Sequence, residues 1–327
     1  MLEKHRSMPV RAPKRVERLT QIERLTPFGL CLLGLTAAFL QGTAARAELA
    51  TQLPVTVPIA PPTPADLATF DRVVQRATGD RLSQVSFGEI VQAIATEFLG
   101  APYRAGLLDR FGQETLLTSL QEFDCVLFVE TVLAIARNIA LEDTSFESFA
   151  GHIQTQRYRD GKIDGYCSRL HYFSDWMADN QERGNLRDLA PELGGMPLQK
   201  SLTFMSRHTE YYPQLANSAA NIRCIAEREA ELQHLSLAYI PSDRIRESYA
   251  QIQPGDIFAL VTSLEGLDVI HTGLTYRTET GIAAIHASPS GEVKISSDLQ
   301  AYVQQAETAI GILLARPSDP RQPTAVR

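Results

Sequence analysis

Residues 122–139 read EFDCVLFVETVLAIARNI, a short polar lead followed by a long apolar run of good helix formers. Such a run is typical of a helix that is buried against a sheet. We expect the helix to begin within a residue of Asp124, although Ser119 and Glu122 stand at capping-box spacing and allow an earlier start. Cys125 would then lie at the helix N-terminus, with its thiol at the rim of the core.

Two further helices are predicted upstream of this run. The first spans Asp66 to Thr78. The second opens with Ser86 and Glu89, which form a capping-box pattern, and it runs to Phe98 before Gly100 closes it. The N-terminal part of the folded chain is therefore predicted to be helical.

Strands are predicted mainly toward the C-terminus, after a middle region of mixed helix and loop character. Helices first and sheet afterward indicate an α+β fold with an antiparallel sheet. We expect a single catalytic domain at 65–317, with a largely helical and loop insertion at about 141–248, and a C-terminal tail at 318–327. The predicted strands are Asp256–Thr262, His271–Arg277, Ile282–Ala287 and Ile310–Ala315.

Two histidines lie in neighbouring predicted strands that read as a β-hairpin. With a two-residue loop at Thr278 and Glu279, His271 would stand directly opposite His286 on the same face, with Cβ atoms roughly 5 Å apart. A one-residue bulge at Gly281 would disturb that register. The hairpin thus predicts two imidazoles in contact, conditional on the loop.

A cysteine at a helix start and a pair of histidines together indicate nucleophilic catalysis. The thiolate is the attacking species, and a helix N-terminus and a nearby imidazole both favour it. We therefore predict Cys125 as nucleophile, His271 as base and His286 as the group that orients the base.

Four segments in order carry a resemblance to a known family. They are FLGAPYRAG at 98–106, FDC at 123–125, GDIFAL with DVIHTGLTY at 255–276, and IHAS at 285–288. This order resembles the NlpC-type papain-like cysteine peptidases that cut bacterial peptidoglycan. The resemblance implies a papain-like core with the nucleophile at a helix N-terminus packed on an antiparallel sheet.

A narrower resemblance covers roughly residues 85 to 317. The segment YRDGKIDGYCSRLHYFSDWMADN at 158–180, with LGG, FMSRH and YIP downstream, looks like a branch long catalogued as a domain of unknown function and associated with N-acetylmuramoyl-L-alanine amidase activity. The scissile bond implied is the amide between the lactyl group of N-acetylmuramic acid and L-alanine. By the same likeness Tyr103 would lie near the oxyanion and Asp124 would shape the substrate pocket.

The resemblance also places a sugar-side cleft in that segment. Arg169, His171, Tyr172 and Trp176 would line it, since aromatic rings with a guanidinium suit a glycan–peptide junction. The alternative is that Tyr172 and Trp176, four residues apart, form a buried helix face. Cys167 departs from the pattern, where a small residue such as alanine is expected.

The net charge of the chain limits the classes of partner that it can bind. The chain has 31 Lys and Arg against 38 Asp and Glu, and removal of residues 1–47 would bring the net charge to −12. There is no basic stripe of the kind that nucleic-acid binding needs. The local cluster Arg157, Arg159, Lys162 and Arg169 would either hold an anionic muropeptide or form a solvated charged loop.

The N-terminus predicts export. A basic region is followed by the apolar PFGLCLLGLTAAFL at 27–40 and by Ala45-Arg46-Ala47, a small-x-small site of the kind that signal peptidase cuts. We predict a signal peptide at 1–47, a Pro-rich linker at 48–64 and a periplasmic or cell-envelope protein without a membrane span; an uncleaved anchor is the alternative.

Three cysteines remain after the predicted cleavage, so one must lack an intramolecular partner. If Cys125 is catalytic, a bond between Cys167 and Cys224 is the one internal pairing compatible with activity. Core cysteines commonly serve as small hydrophobic residues, which favours free thiols at these two positions.

Other functions remain open from the residues alone. Cys125, His271 and His286 are residue types that suit zinc, but an HExxH helix or paired-cysteine spacing is absent, so we predict no metal and no cofactor. A D-glutamyl-diamino acid endopeptidase of the same fold and a non-catalytic wall-binding module are the alternatives to the amidase. The oligomeric state cannot be read from the sequence.

Overall fold

The computed structural model describes residues 59–322. The predicted signal peptide at 1–47, residues 48–58 of the predicted linker and residues 323–327 of the tail lie outside the described residues. None of the helices in the described part is long and apolar enough to cross a membrane. Those helices are α1 (Pro64–Gly79), α2 (Phe87–Thr96), α3 (Cys125–Ala140), α4 (Phe146–Arg157), α5 (Phe173–Glu182), α6 (Phe204–Arg207), α7 (Pro213–Ala216), α8 (Ala219–Leu232) and α9 (Leu299–Gln304).

The strands form an antiparallel sheet in the order β2-β3-β8-β4-β5-β6-β7, and β1 also pairs with β8. With helices packed on this sheet, the α+β prediction is confirmed. The strands are β1 (Leu186–Asp188), β2 (Met196–Leu198), β3 (Leu237–Pro241), β4 (Ile257–Thr262), β5 (Val269–Arg277), β6 (Ile282–Ala287), β7 (Val293–Ile295) and β8 (Ala309–Pro317).

Central strand β4 shows how the core is built. Its side chains alternate between two hydrophobic clusters: Ile257 and Ala259 join the cluster formed with α1 to α5, whereas Phe258 and Leu260 join the cluster formed with α9. Alternation with period two puts these clusters on opposite faces of the sheet. Because both faces are covered, all six residues of the strand are buried, and all but Thr262 are apolar.

Helix α3 lies at the centre of the larger cluster. It begins at Cys125 because the Asp124 carboxylate accepts a hydrogen bond from the Leu127 backbone N–H at 2.7 Å and so caps the helix. Ser119 and Glu122 do not cap it; the Ser119 hydroxyl donates to the Glu122 carbonyl within the preceding turn. The helix packs on α2, α4, β5 and β6, which fixes its N-terminus relative to the histidine strands.

The middle region differs from the prediction of helix and loop alone. It contributes β1, β2 and β3 to one side of the sheet. These strands have only three to five residues each, too few for alternation to be recognised in the sequence. Strand β7, also of three residues, was missed for the same reason.

Candidate active site

Cys125 is the first residue of α3, and its partly exposed thiol faces a pocket. Burial is the main factor that raises the pKa of the thiol, to about 12, and the adjacent Asp124 carboxylate raises it further. Hydrogen bonds from the backbone N–H groups of Thr272, Val126 and Cys125 itself act in the opposite direction. The helix N-terminus therefore favours the thiolate, as expected, but burial outweighs it and the resting group is a thiol.

This protonation state predicts the pH dependence of alkylation. Iodoacetamide reacts with the thiolate, so the rate constant at Cys125 should rise about tenfold per pH unit from about pH 6 to about pH 9 without a plateau. Intact-mass spectrometry of the modified protein would measure it, with Cys125→Ala as the control for labelling elsewhere. A rate constant that does not change across this pH range would mean a preformed thiolate–imidazolium pair. It would contradict the assignment of Cys125 as a protonated thiol in the resting protein.

His271 and His286 form a contacting pair, and His271 lines the same pocket as Cys125. His271 Nε2 lies 2.8 Å from His286 Nδ1, and the rings are close to perpendicular at 86°. Burial lowers the pKa of His271 to about 4 and, with the neighbouring His271 and Lys294, that of His286 to about 3. Both rings are therefore neutral at physiological pH, and His271 keeps Nδ1 as the ring nitrogen left for Cys125.

The predicted hairpin register was wrong by two residues. Arg277 pairs with Ile282, so the loop has four residues rather than two. His286 stands opposite Gly273, where an added Cβ would lie 2.8 Å from the His286 Cβ. A shift of two keeps both histidines on one face, because side chains alternate with period two. Their contact is thus diagonal, and the glycine leaves space for it.

A pocket of about 260 Å³ opens at the thiol. Because α3, α5, β5 and the segment before α5 converge here, residues far apart in sequence share one wall. Most of the predicted site residues line it: Asp124, Cys125, Arg169, His171, Tyr172, Trp176 and His271.

Tyr103 lies near Cys125 but is not among the residues that line the pocket. Its backbone forms a bridge with Phe123, two residues before Cys125. Burial raises the pKa of its hydroxyl to about 12, and the charges of Cys125 and Asp124 contribute to the rise. The hydroxyl therefore stays protonated next to the thiol and can donate a hydrogen bond there.

In the predicted basic cluster Arg157, Arg159 and Arg169 are paired with carboxylates, whereas Lys162 is exposed. Arg157 is buried and its Nε lies 2.7 Å from the Glu130 carboxylate. Arg169 is buried beside Asp109, at 2.6 Å, and lies 3.6 Å from Glu114. Both guanidinium groups are neutralised within the protein, so they serve first to hold the pocket walls together.

Tyr172 and Trp176 are buried, at 4% and 2% exposure, and also line the pocket, whereas their contact with a sugar stays a prediction. The Tyr172 hydroxyl donates to Glu229 at 2.7 Å, and the Trp176 indole N–H donates to Glu130 at 3.2 Å. Because their polar atoms are already bonded, these residues offer mainly ring surface to a ligand.

His171 has its Nε2 2.8 Å from the Tyr166 carbonyl oxygen. Burial, and next the charge of Arg169, lower the pKa of His171 well below its usual value. The ring is therefore neutral, and its Nε2–H donates to the carbonyl. It acts as a fixed polar wall rather than as a cation for substrate.

Cys167 and Cys224 form a disulfide, against the expectation of two free thiols, and Cys125 is the free cysteine of residues 59–322. The bond ties the turn at Tyr166–Ser168 to α8. Since Tyr166 lines the pocket, the crosslink restrains a pocket wall.

Several site residues were not anticipated. Glu130 sits inside an apolar run, and its partners Arg157 and Trp176 explain its burial. Asp268 lines the pocket and accepts the Ser174 backbone N–H at 2.8 Å. Tyr302, on α9, lies 3.2 Å from His286 Nδ1, and nothing in its local sequence marks it. Within residues 59–322, no three His, Cys, Asp or Glu side chains converge as a metal site requires.

Comparison with known proteins adds a family match. The model of the AmiA-like family, described as N-acetylmuramoyl-L-alanine amidase-like, matches residues 93–312. Among curated proteins, none matches the chain significantly.

Solved structures are similar over most of the chain. An N-acetylmuramoyl-L-alanine amidase from Bacteroides uniformis is 33% identical, with a TM-score of 0.68 over 71% of this chain and 99% of its own. A Bacteroides fragilis protein with a provisional xylanase name is 35% identical, with a TM-score of 0.64 over 68% of this chain and 99% of its own. A Legionella pneumophila protein, 22% identical with a TM-score of 0.56 over 77% of this chain and 96% of its own, shares the fold.

Proposed function

This chain belongs to the AmiA-like family of N-acetylmuramoyl-L-alanine amidase-like proteins, and on that premise we propose that it is an exported cysteine amidase. Its substrate is the amide between N-acetylmuramic acid and L-alanine in peptidoglycan fragments. The core is of the NlpC papain-like type, and the site of action is the periplasm or cell envelope, after cleavage behind Ala47.

The observation that carries the proposal is the alignment of three side chains at one pocket. Cys125 opens onto it at the start of α3, His271 lines it from β5, and His286 lies 2.8 Å behind His271. Nucleophile, base and a group that holds the base are the parts that acyl transfer through a thioester requires. The same alignment at a helix N-terminus supports the papain-like assignment.

The reaction begins from neutral groups. Because His271 is neutral above about pH 4, its Nδ1 accepts the proton of Cys125 as the sulphur attacks the lactyl carbonyl carbon. A C–S bond forms and the carbonyl oxygen becomes an oxyanion, which the Cys125 backbone N–H and the Tyr103 hydroxyl stabilise. Asp124 contributes by holding the helix start in place.

Collapse of the intermediate breaks the C–N bond. His271 returns its proton to the departing L-alanine nitrogen, which leaves as a free amine. Water, deprotonated by His271, then attacks the thioester and releases the muramic acid carboxylate with the thiol restored. Through both steps His286 accepts a hydrogen bond from His271 Nε2–H and stabilises the transient imidazolium.

The pocket suits a glycan–peptide junction. Ring surfaces of Tyr172 and Trp176 lie on the same wall as Arg169 and His171, and their hydrogen-bonding groups are held by other protein atoms. Sugar faces pack favourably on such rings. Arg169 is paired with Asp109, so it orders this wall rather than binding the substrate as a free cation.

Mass spectrometry of defined muropeptides after incubation tests the assignment. We expect the intact stem peptide to appear with a free L-alanine amine, together with sugar bearing a muramic acid carboxylate, and EDTA to leave the yield unchanged. Truncated stem peptide still attached to sugar would identify the D-glutamyl-diamino acid endopeptidase instead. No product from wild type, with glycan pulldown equal in wild type and Cys125→Ala, would identify a wall-binding module.

A further inference from the structure

The geometry points to Tyr302 as a positioning residue that sets the tautomer of the His271–His286 pair and so keeps His271 competent as a base. The inference rests on the proposed function, because it concerns the same proton transfer. Tyr302 does not touch the reacting atoms in this account; it acts through His286.

Tyr302 contacts both imidazoles. Its hydroxyl lies 3.2 Å from His286 Nδ1, and its ring centroid lies 4.6 Å from that of His286 and 6.3 Å from that of His271. His286 Nδ1 therefore meets two groups, the Tyr302 hydroxyl and His271 Nε2 at 2.8 Å. The position of one proton on this nitrogen decides how all three rings are bonded.

The two tautomers of His286 have opposite consequences. If Nδ1 carries the proton, it donates to His271 Nε2, and the His271 proton moves to Nδ1, where it blocks acceptance of the Cys125 proton. If Nδ1 is unprotonated, it accepts from His271 Nε2–H and leaves His271 Nδ1 free for the thiol. Only the second arrangement gives a base.

Tyr302 favours the productive arrangement. Burial, and next the charge of Cys125, raise the pKa of its hydroxyl, so that it keeps its proton and can donate. His286 Nδ1 is the acceptor that the described part of the chain offers to this hydroxyl. In the productive form this hydroxyl shares the single lone pair of Nδ1 with His271 Nε2–H, as the longer of the two contacts, and it so opposes a proton on Nδ1.

His286 by itself does not make this choice. Its Nε2 is buried without a hydrogen-bond partner among the described residues. A proton on Nε2 therefore gains no hydrogen bond there, and nothing on that side of the ring selects the productive form. The preference has to come from the Nδ1 side, where Tyr302 lies.

The position of Tyr302 is held by the start of α9. Asp298 caps that helix by accepting the Ala301 backbone N–H at 2.8 Å. The Tyr249 hydroxyl donates to Asp298 at 3.1 Å and accepts the Gln300 backbone N–H at 2.9 Å. The Tyr249 hydroxyl reaches neither histidine, and the Asp298 cap that holds α9 remains without it, so Tyr249→Phe is a matched control.

The test replaces one hydroxyl at a time. In Tyr302→Phe we expect kcat on a soluble muropeptide to fall about tenfold, the loss of roughly one hydrogen bond, while KM changes by less than about twofold. Nitrogen-15 NMR of histidine-labelled protein should show Nδ1 of His286 unprotonated in wild type and partly protonated in Tyr302→Phe. Tyr249→Phe should lower thermal stability but keep the wild-type kcat and imidazole spectrum.

Two results would overturn the inference. One is a wild-type spectrum in which His286 Nδ1 carries the proton, which requires no folded variant. The other is a Tyr302→Phe protein with wild-type kcat and spectrum. If wild type fails to turn over any muropeptide, the proposed function fails, whereas the wild-type and Tyr302→Phe spectra still decide the tautomer.

Discussion

Replacing Cys125 with alanine is expected to lower kcat on muropeptides by roughly 10⁴-fold or more, since loss of a nucleophile removes the covalent route entirely. His271→Ala should have an effect of similar size, because the thiol, with its pKa raised to about 12, cannot ionise at neutral pH without a base. His286→Ala should retain partial activity, as it removes only the support of His271. Single-turnover assays with product detection by mass spectrometry would measure all three.

Two controls show that these losses come from chemistry rather than from misfolding. Cys125 is a residue of intermediate exposure and the change removes only its sulphur atom, so Cys125→Ala should unfold in urea close to the wild-type midpoint. The same variant should still bind an uncleaved muropeptide in calorimetry, because the pocket walls are unchanged. Turnover that persists in Cys125→Ala would end the cysteine mechanism.

The largest stability effect is expected at Glu130→Gln. This change leaves the buried Arg157 guanidinium without its carboxylate partner, which lies 2.7 Å from it and is 1% exposed. Breaking a buried pair by removing one charge lowers the free energy of unfolding by about 3–5 kcal/mol. Urea denaturation monitored by Trp176 fluorescence would measure it, since that indole contacts Glu130 directly.

Glu247→Gln provides the matched control. Glu247 pairs with Arg244 on the surface, where both side chains are exposed, and such pairs contribute about 0–1 kcal/mol. The double variant Glu130→Leu with Arg157→Met removes both buried charges and should recover part of the stability. An equal decrease in the free energy of unfolding in Glu130→Gln and Glu247→Gln would show that the buried pair contributes no more to stability than the surface pair.

Local signals explain which elements could be predicted. Helix α2 begins where Ser86 and Glu89 form the expected reciprocal cap, and strand β6 has the predicted bounds, Ile282–Ala287. Helix caps, helix-terminating glycines and apolar runs depend on residues within a few positions of one another, so they can be recognised in the sequence. The short strands β1, β2 and β3 are stabilised by pairing with distant partners, and their own residues do not reveal it.

Features of the candidate site also fall into those that local sequence predicts and those that it does not. The presence of His271 and His286 on one face follows from period two and survives a change of loop length. Their register does not, because it depends on a loop of four residues, which Thr278 closes through hydrogen bonds to Gly281. The pKa of the Cys125 thiol divides in the same way, because the helix N-terminus that lowers it is visible in the sequence whereas the burial that raises it is not.

The sequence alone determined that Cys125 begins a buried helix, that two histidines share a strand face, and that the chain resembles peptidoglycan amidases. Tertiary structure decided that Arg157 and Arg169 are paired inside the walls, that Cys167 joins Cys224, and that Tyr302 reaches His286. The physical reason is the separation along the chain over which each interaction acts. Helix caps and side-chain periodicity act over a few residues, whereas ion pairs, burial and tautomer selection depend on groups that only the folded chain brings together.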